Sequence, residues 1–278
     1  MSKSPLGYIA YEGPSMLDGM PIVVIVNQIP DKKGKGSQNT KTGAIAQSFI
    51  LRSNVHPVRA LKTGADKSVC GGCKHRPLLV KKGRALGNEE PPCYVNVGKS
   101  VHKVWSAYRR GRYVKATPRE IGIALTGLKL RIGTYGDGAA APVEVWQEMV
   151  RPTLDHTGYT HQWERDGFDH AAWAPLVMAS ADSSEERARA RALGMRVFRV
   201  VPLALYAKEK GEAPCPASRE AGRRATCATC MLCAGTSKKA ADIVIADHAA
   251  GYQNRHSDNR VGMSSRNNGT TNETLLGD

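Results

Sequence analysis

The sequence predicts an α/β protein on a parallel sheet, either an open doubly wound sheet or a full or partial (β/α) barrel, with a cysteine-rich carboxyl-terminal extension. Two observations carry this. Apolar runs of strand length recur with helical stretches between them, at spacings that suit right-handed crossovers. The last four cysteines then fall in a segment where the alternation is interrupted before one final strand.

In chain order, residues 43–52 (GAIAQSFILR) read as a strand, followed by a Cys-, Gly- and Lys-rich insertion over 55–98. Residues 100–113 place Val101, Val104, Trp105 and Tyr108 at helical spacing. Thr117-Pro118-Arg119-Glu120 opens the next helix, since Thr can cap, Pro fits the first turn and Glu can reach back; Gly127 closes it. Residues 128–135 are a strand, 143–151 a helix, and 158–163 (GYTHQW) and 176–181 (LVMASA) strands. A capping box at Ser183 to Glu186 starts a helix that ends at Gly194, and 196–201 and 242–247 are the last strands. This divides the chain into a barrel-like domain over 1–205, a cysteine-rich extension over 206–250 and a tail over 251–278. That tail lacks periodicity, is rich in Asn, Ser, Thr and Gly, and is expected to be disordered; residues 32–41 are expected to form a mobile loop.

Parallel α/β folds place chemistry at the carboxyl ends of their strands. The polar residues there are Gly136 and Asp137, then His161 and Gln162, then Ser180 and Asp182. Asp137, His161 and Asp182 are the catalytic candidates. Each has a plainer reading: Asp137 as a turn or helix cap, His161 as a hydrogen-bonded barrel residue, Ser180 and Asp182 as a strand end and a helix start.

Composition narrows the partners. Forty Lys and Arg against 25 Asp and Glu give a net charge of +15, spread along the chain, which favours a polyanionic partner such as nucleic acid. Arg109, Arg110 and Arg112 on a basic helix are the first candidates for phosphate contacts, against the plainer reading of a solvated face. The amino end lacks a charged segment followed by an apolar one, and the run 22–26 is far too short to span a bilayer, so no membrane partner is expected and a reducing, cytoplasmic compartment is. Glycine-rich phosphate loops, H-E-x-x-H and G-x-S-x-G are missing, which removes P-loop, zincin and serine-hydrolase readings.

Seven cysteines in such a compartment point to metal ligation rather than disulfides. Cys215, Cys227, Cys230 and Cys233 form a C-P-x10-C-x2-C-x2-C run that can enclose zinc or a four-iron cluster. Cys70, Cys73 and Cys93 supply only three thiolates. Either His75 or His56 completes a structural zinc site, or the fourth position stays open for catalysis.

From about residue 7 to 248 the chain resembles the gene 88 family of tailed-phage proteins. The matching segments are 41–43, 50–52, 55–57, Cys70-Gly-Gly-Cys73, Cys93-Tyr94-Val95-Asn96, 131–137, 157–163, 178–183 and Cys215-Pro216-Ala217-Ser218. That resemblance implies a phage protein in the cytoplasm of an infected host cell and carries no activity. The order of features also resembles that of radical S-adenosylmethionine (SAM) enzymes, although the cysteine spacing is wider than theirs. It implies a 4Fe-4S cluster on Cys70, Cys73 and Cys93, SAM held by Gly136, Asp137 and Ser180, and a second 4Fe-4S cluster or zinc on the carboxyl-terminal four. The alternatives are a zinc-containing barrel enzyme that exchanges or modifies a nucleobase, with Asp137 or Asp182 as nucleophile or base, and a non-catalytic zinc protein that binds nucleic acid.

Overall fold

The computed structural model describes residues 5–31, 33, 34, 36, 37, 39–76, 80, 81, 84, 85, 93 and 95–247. The expected tail 251–278, most of the 77–92 stretch of the insertion and Tyr94 lie outside the described residues.

The chain begins with strands β1 (Gly7–Pro14) and β2 (Pro21–Asn27), which pair antiparallel. β2 is a run of β-branched residues, buried from Ile22 to Asn27, and it pairs antiparallel with β3 (Ala46–Arg52), every residue of which is buried. Strands covered on both faces tolerate such continuous apolar runs. The hairpin is a departure from the reading of the sequence, which starts its strands at residue 43. An unbroken apolar run lacks the period-2 alternation that announces a half-exposed strand.

From β3 onward the sheet is parallel. α1 (Pro57–Thr63), α2 (Lys67–Cys70), a two-stranded ladder of β4 (Val80–Lys81) and β5 (Arg84–Ala85), α3 (His102–Arg109), β6 (Val114–Lys115) and α4 (Pro118–Ala124) intervene before β7 (Lys129–Tyr135). β6 pairs with β1, and β7 lies parallel beside β3. The β3·β7 register slips by a bulge that Ser48 fills: its hydroxyl donates to the Arg131 carbonyl (2.9 Å) and accepts from Gly133 N–H (2.9 Å).

After α5 (Val143–Val150) the chain forms β8 (Asp155–Thr157) on β7 and, one residue later, β9 (Tyr159–Thr160) on β10 (Met178–Ala181). Gly158 is the joint. Its N–H donates to the Cys233 carbonyl and its carbonyl accepts from Met178, each at 3.0 Å, so the chain turns from one ladder into the next. A Cβ there would lie 2.8 Å from Val177 Cγ1 and 3.0 Å from Ile132 Cβ, which only glycine avoids. α6 (His170–Trp173) precedes β10 and α7 (Ser184–Ala192) follows it. β11 (Val197–Val201) then pairs with β10, β13 (Asp242–Ala246) with β11, and β12 (Glu212–Pro214) with β13, all parallel. Two sheets result, β6-β1-β2-β3-β7-β8 and β12-β13-β11-β10-β9, sharing the 155–160 segment. The protein is thus α/β with parallel strands. β13, from the 206–250 segment, sits inside the second sheet.

Local signals hold well. Thr117 and Glu120 form the reciprocal capping box of α4, and Ser183 accepts from Glu186 N–H at the start of α7. The strand expected over 158–163 is shorter and earlier: it stops at Thr160, and Gln162–Glu164 is a 3-10 turn. His161 and Gln162 lie past the end of that ladder, and they instead serve the site described next. One apolar core lies between the strands and helices α3, α4, α5 and α7. A second, formed by Met178, Cys215, Ala217, Ile243 and Ile245 with Tyr159, Phe198, Val200 and Leu232, covers the opposite face of β9, β10, β11 and β13.

Candidate metal centres

Cys70, Cys73 and Cys93 gather beyond the carboxyl end of β3. Asp66, almost fully buried, receives both Arg76 Nε and Nη2 at 2.8 Å, a two-pronged pair that ties the start of α2 to the far side of the cysteine loop. Arg76 Nη1 also donates to the Gly71 carbonyl (3.1 Å). Cys73 N–H donates to the Cys70 carbonyl, and Cys93 N–H to the His75 carbonyl, each at 3.1 Å, so the third cysteine returns to the turn made by the first two across nineteen intervening residues. Gln162 closes the loop from the opposite side: its Nε2 donates to the Cys70 carbonyl (3.1 Å) and its Oε1 accepts from Gly72 N–H (3.2 Å). All three thiols are half-buried. Burial raises their pKa values, that of Cys73 to about 12, and for Cys70 the neighbouring Cys73, Asp66 and Cys93 push further in the same direction while Arg76 opposes.

Gly136 and Asp137 follow β7 directly. Gly136 has φ +80°, and a Cβ there would meet Ile50 at 2.8 Å and the Ile50 carbonyl at 2.9 Å, so its small size serves packing on β3. Asp137 is buried, with Oδ1 accepting from Ala139 N–H (3.0 Å) and Oδ2 from His161 N–H (2.8 Å) and Gln162 Nε2 (3.2 Å). It caps the 3-10 turn Gly138–Ala140 and pins the His161-Gln162 segment against the cysteine loop. Ser180 shares a face of β10 with Met178, since alternate strand residues point the same way, and its carbonyl accepts from Trp163 Nε1 (2.7 Å).

His75, His161 and Asp182 come together beside this loop. One ligand atom from each lies within 4.8 Å of the other two, and His75 Nε2 is 2.9 Å from Asp182 Oδ1. Burial opposes a charged His75, but its hydrogen bond to Asp182 and that carboxylate's charge raise the His75 pKa overall. Burial lowers the pKa of His161. Sequence analysis named His161 and Asp182 as catalytic candidates and His75 only as a possible zinc ligand; no spacing rule links residues 75, 161 and 182.

Of the carboxyl-terminal four cysteines, Cys215 and Cys233 belong to the second core. Cys215 follows β12, Cys227 and Cys230 bound α8 (Cys227–Cys230), and Cys233 lies two residues beyond the left-handed Met231. All four line one small cavity of about 20 Å³ together with Thr157, Tyr159, Pro216 and Leu232. Burial drives the Cys233 thiol up to about 12, with a hydrogen bond from Tyr159 opposing and Cys215, Cys227 and Cys230 adding to the rise. The segment is bolted to the sheet by Arg196, whose guanidinium donates to the carbonyls of Leu232 and Gly235 (2.8 Å each) and Ala241 (2.5 Å). From the other side, Cys227 N–H reaches the Lys41 carbonyl (3.0 Å) and Ala228 N–H the Thr42 carbonyl (2.8 Å).

A cavity of about 710 Å³ opens beside the carboxyl-terminal cysteine group. His75, Cys215 and Cys227 line it, with Tyr159, Phe198 and Val200 from the sheet. Lys41, Arg131, Arg219, Arg223 and Arg224 also line it. Arg109 lies elsewhere, packed over the Trp105 ring at 5.7 Å, and Arg109, Arg110 and Arg112 do not line this cavity. Among the described residues, no helix is long and apolar enough to cross a membrane. No protein-family model, curated protein or solved structure matches this chain.

Proposed function

We propose that this chain is an iron-sulfur enzyme of radical SAM type, built on an open (β/α) barrel and acting on a phosphate-bearing, nucleotide-related substrate. The observation that carries the reading is a cavity lined by five cationic side chains together with Cys215 and Cys227 of one cysteine group and His75 from the loop that bears the other. Burial raises the pKa of Cys70, Cys73 and Cys93 in one group and of Cys215, Cys230 and Cys233 in the other, and such thiols become anionic when a metal takes up the charge.

The tandem C-x2-C-x2-C run of Cys227, Cys230 and Cys233 resembles ferredoxin ligation, which favours a cluster over a single ion at the carboxyl-terminal group. Cys70, Cys73 and Cys93 would hold a 4Fe-4S cluster with one iron left for SAM; the carboxyl-terminal four would hold an auxiliary 4Fe-4S cluster or zinc. When bound, such a cluster supplies one-electron cleavage of SAM.

In this reading the remaining residues bind and orient. Asp137 and Gln162 fix the loop that carries Cys70 and Cys73, through their contacts with His161 N–H and the Cys70 carbonyl. Ser180 contributes on the inner face of β10. Lys41, Arg131, Arg219, Arg223 and Arg224 take the phosphate groups of the substrate, which moves the expected anion contacts away from Arg109, Arg110 and Arg112. The phage resemblance and a cytoplasmic setting in an infected cell are consistent with a nucleic-acid-derived substrate.

The deciding experiment is anaerobic purification followed by iron, sulfide and zinc determination. Iron with equimolar sulfide is expected, and reductant with SAM should yield 5′-deoxyadenosine in wild type and none in Cys93→Ala. A colourless protein with two zinc ions and no sulfide overturns the reading in favour of a zinc protein.

A further inference from the structure

A third set of ligands adjoins the amino-terminal cysteine group. His161 sits just past the carboxyl end of β9, Asp182 just past that of β10, and His75 on the cysteine loop facing them. The imidazole rings of His75 and His161 are 5.3 Å apart between centroids and inclined by 52°. Their ligand atoms and an Asp182 oxygen lie within 4.8 Å of one another, close enough for small side-chain shifts to bring all three onto one ion.

Two further observations point to a cation rather than to a simple His-Asp pair. His161 Nε2 is sealed from solvent and has no hydrogen-bond partner among the described residues. A buried imidazole nitrogen left in that state is costly unless something binds it. The His161 backbone is meanwhile held by its N–H on Asp137, and Asp182 by its N–H on Glu186 Oε2 (2.8 Å), so both ligands are fixed from behind. The cationic neighbour, Lys74, is engaged by Glu186, leaving Asp182 and Asp137 to set the local field.

We propose that His75, His161 and Asp182 form a mononuclear site for a divalent transition metal, zinc or iron(II). Two imidazoles and one carboxylate are a ligand set that such ions accept while keeping open positions. Because His75 also lines the 710 Å³ cavity, an open position there faces the substrate space, where it would take a water or an anionic oxygen. The ligands of this site are nitrogen and oxygen, and it adds one ion to those on the thiols wherever His75 is not itself the fourth ligand of Cys70, Cys73 and Cys93.

Cobalt(II) separates the cases. Protein with its cysteine groups already loaded should bind one further Co²⁺ per chain, with visible d–d bands and no thiolate-to-cobalt charge-transfer band. His161→Ala and Asp182→Asn should each weaken that binding by roughly 100-fold or more, with far-ultraviolet circular dichroism, sulfide content and cluster absorption unchanged. Cys93→Ala should lose the cluster signals and keep the third ion. Absence of a further ion in wild type, a thiolate band in its spectrum, or unchanged affinity in His161→Ala would overturn the site. Should the variants fail to fold, the wild-type stoichiometry and spectrum decide alone.

Discussion

The two cysteine regions use the same side chain in opposite settings. The carboxyl-terminal group is built into a core: its four cysteines line one cavity of about 20 Å³, Arg196 fastens the segment through three carbonyls, and Gly158 N–H bonds directly to the Cys233 carbonyl. The amino-terminal group lies on a loop above the strand ends, tied by Asp66–Arg76 and Gln162 and neighboured by His75, His161 and Asp182. A site enclosed by packing stabilises the fold when filled; a site held by a few polar ties at strand ends leaves a face open for chemistry. The difference lies in the surroundings, since burial pushes up Cys70, Cys73 and Cys93 in one group and Cys215, Cys230 and Cys233 in the other.

The largest expected effect tests that contrast directly. Cys233→Ala should lower the melting temperature by more than roughly 10 °C, because loss of a metal bound within a core removes several kcal/mol. Cys93→Ala should shift it by less than about 3 °C while removing one cluster's worth of iron and sulfide. Differential scanning calorimetry with metal analysis reads both, and equal shifts would erase the distinction between the two regions.

Next in size, Arg196→Ala leaves three carbonyls without their donor, at a cost of roughly 3 kcal/mol. A chelator should then strip the carboxyl-terminal metal at least several-fold faster, with the rate at the amino-terminal group unchanged. Loss of both metals at equal rates would mean that the two regions are mechanically one unit.

The smallest effect concerns the joint between them. His156 on β8 is buried, and burial lowers its pKa; its Nε2 approaches the Pro175 carbonyl at 3.2 Å. A histidine with a depressed folded pKa favours the fold above its ordinary value of about 6.5 and weakens it as pH falls below that, because the unfolded chain binds the proton more readily. Between pH 7.5 and 5.5 the wild type should therefore lose a few degrees of melting temperature, and His156→Gln should lose less. Parallel profiles for the two proteins would assign the acid sensitivity to other groups.

Much of this was legible locally. The caps at Thr117 and Ser183 are set by side chains three residues from the backbone they bind, and the two cysteine groups stand out by spacing. Less visible were β2, since a strand buried on both faces loses its alternation, with its partner β1, and the shortened strand at 158–163, where Gln162 was recruited to the cysteine loop ninety-two residues from Cys70. Arg131 as a cavity residue was also hidden, because a cation inside a strand gives no hint of the face it lines.

By itself the sequence determined the α/β class, the caps and the division of seven cysteines into three and four, because these depend on contacts within a few residues or on composition. Tertiary structure alone decided that β13 enters the second sheet, that Gly158 joins the two sheets, and that His75, His161 and Asp182 meet. Those outcomes depend on which strand ends fall side by side, and adjacency across more than a hundred residues is set by the packing of the whole sheet rather than by any local pattern.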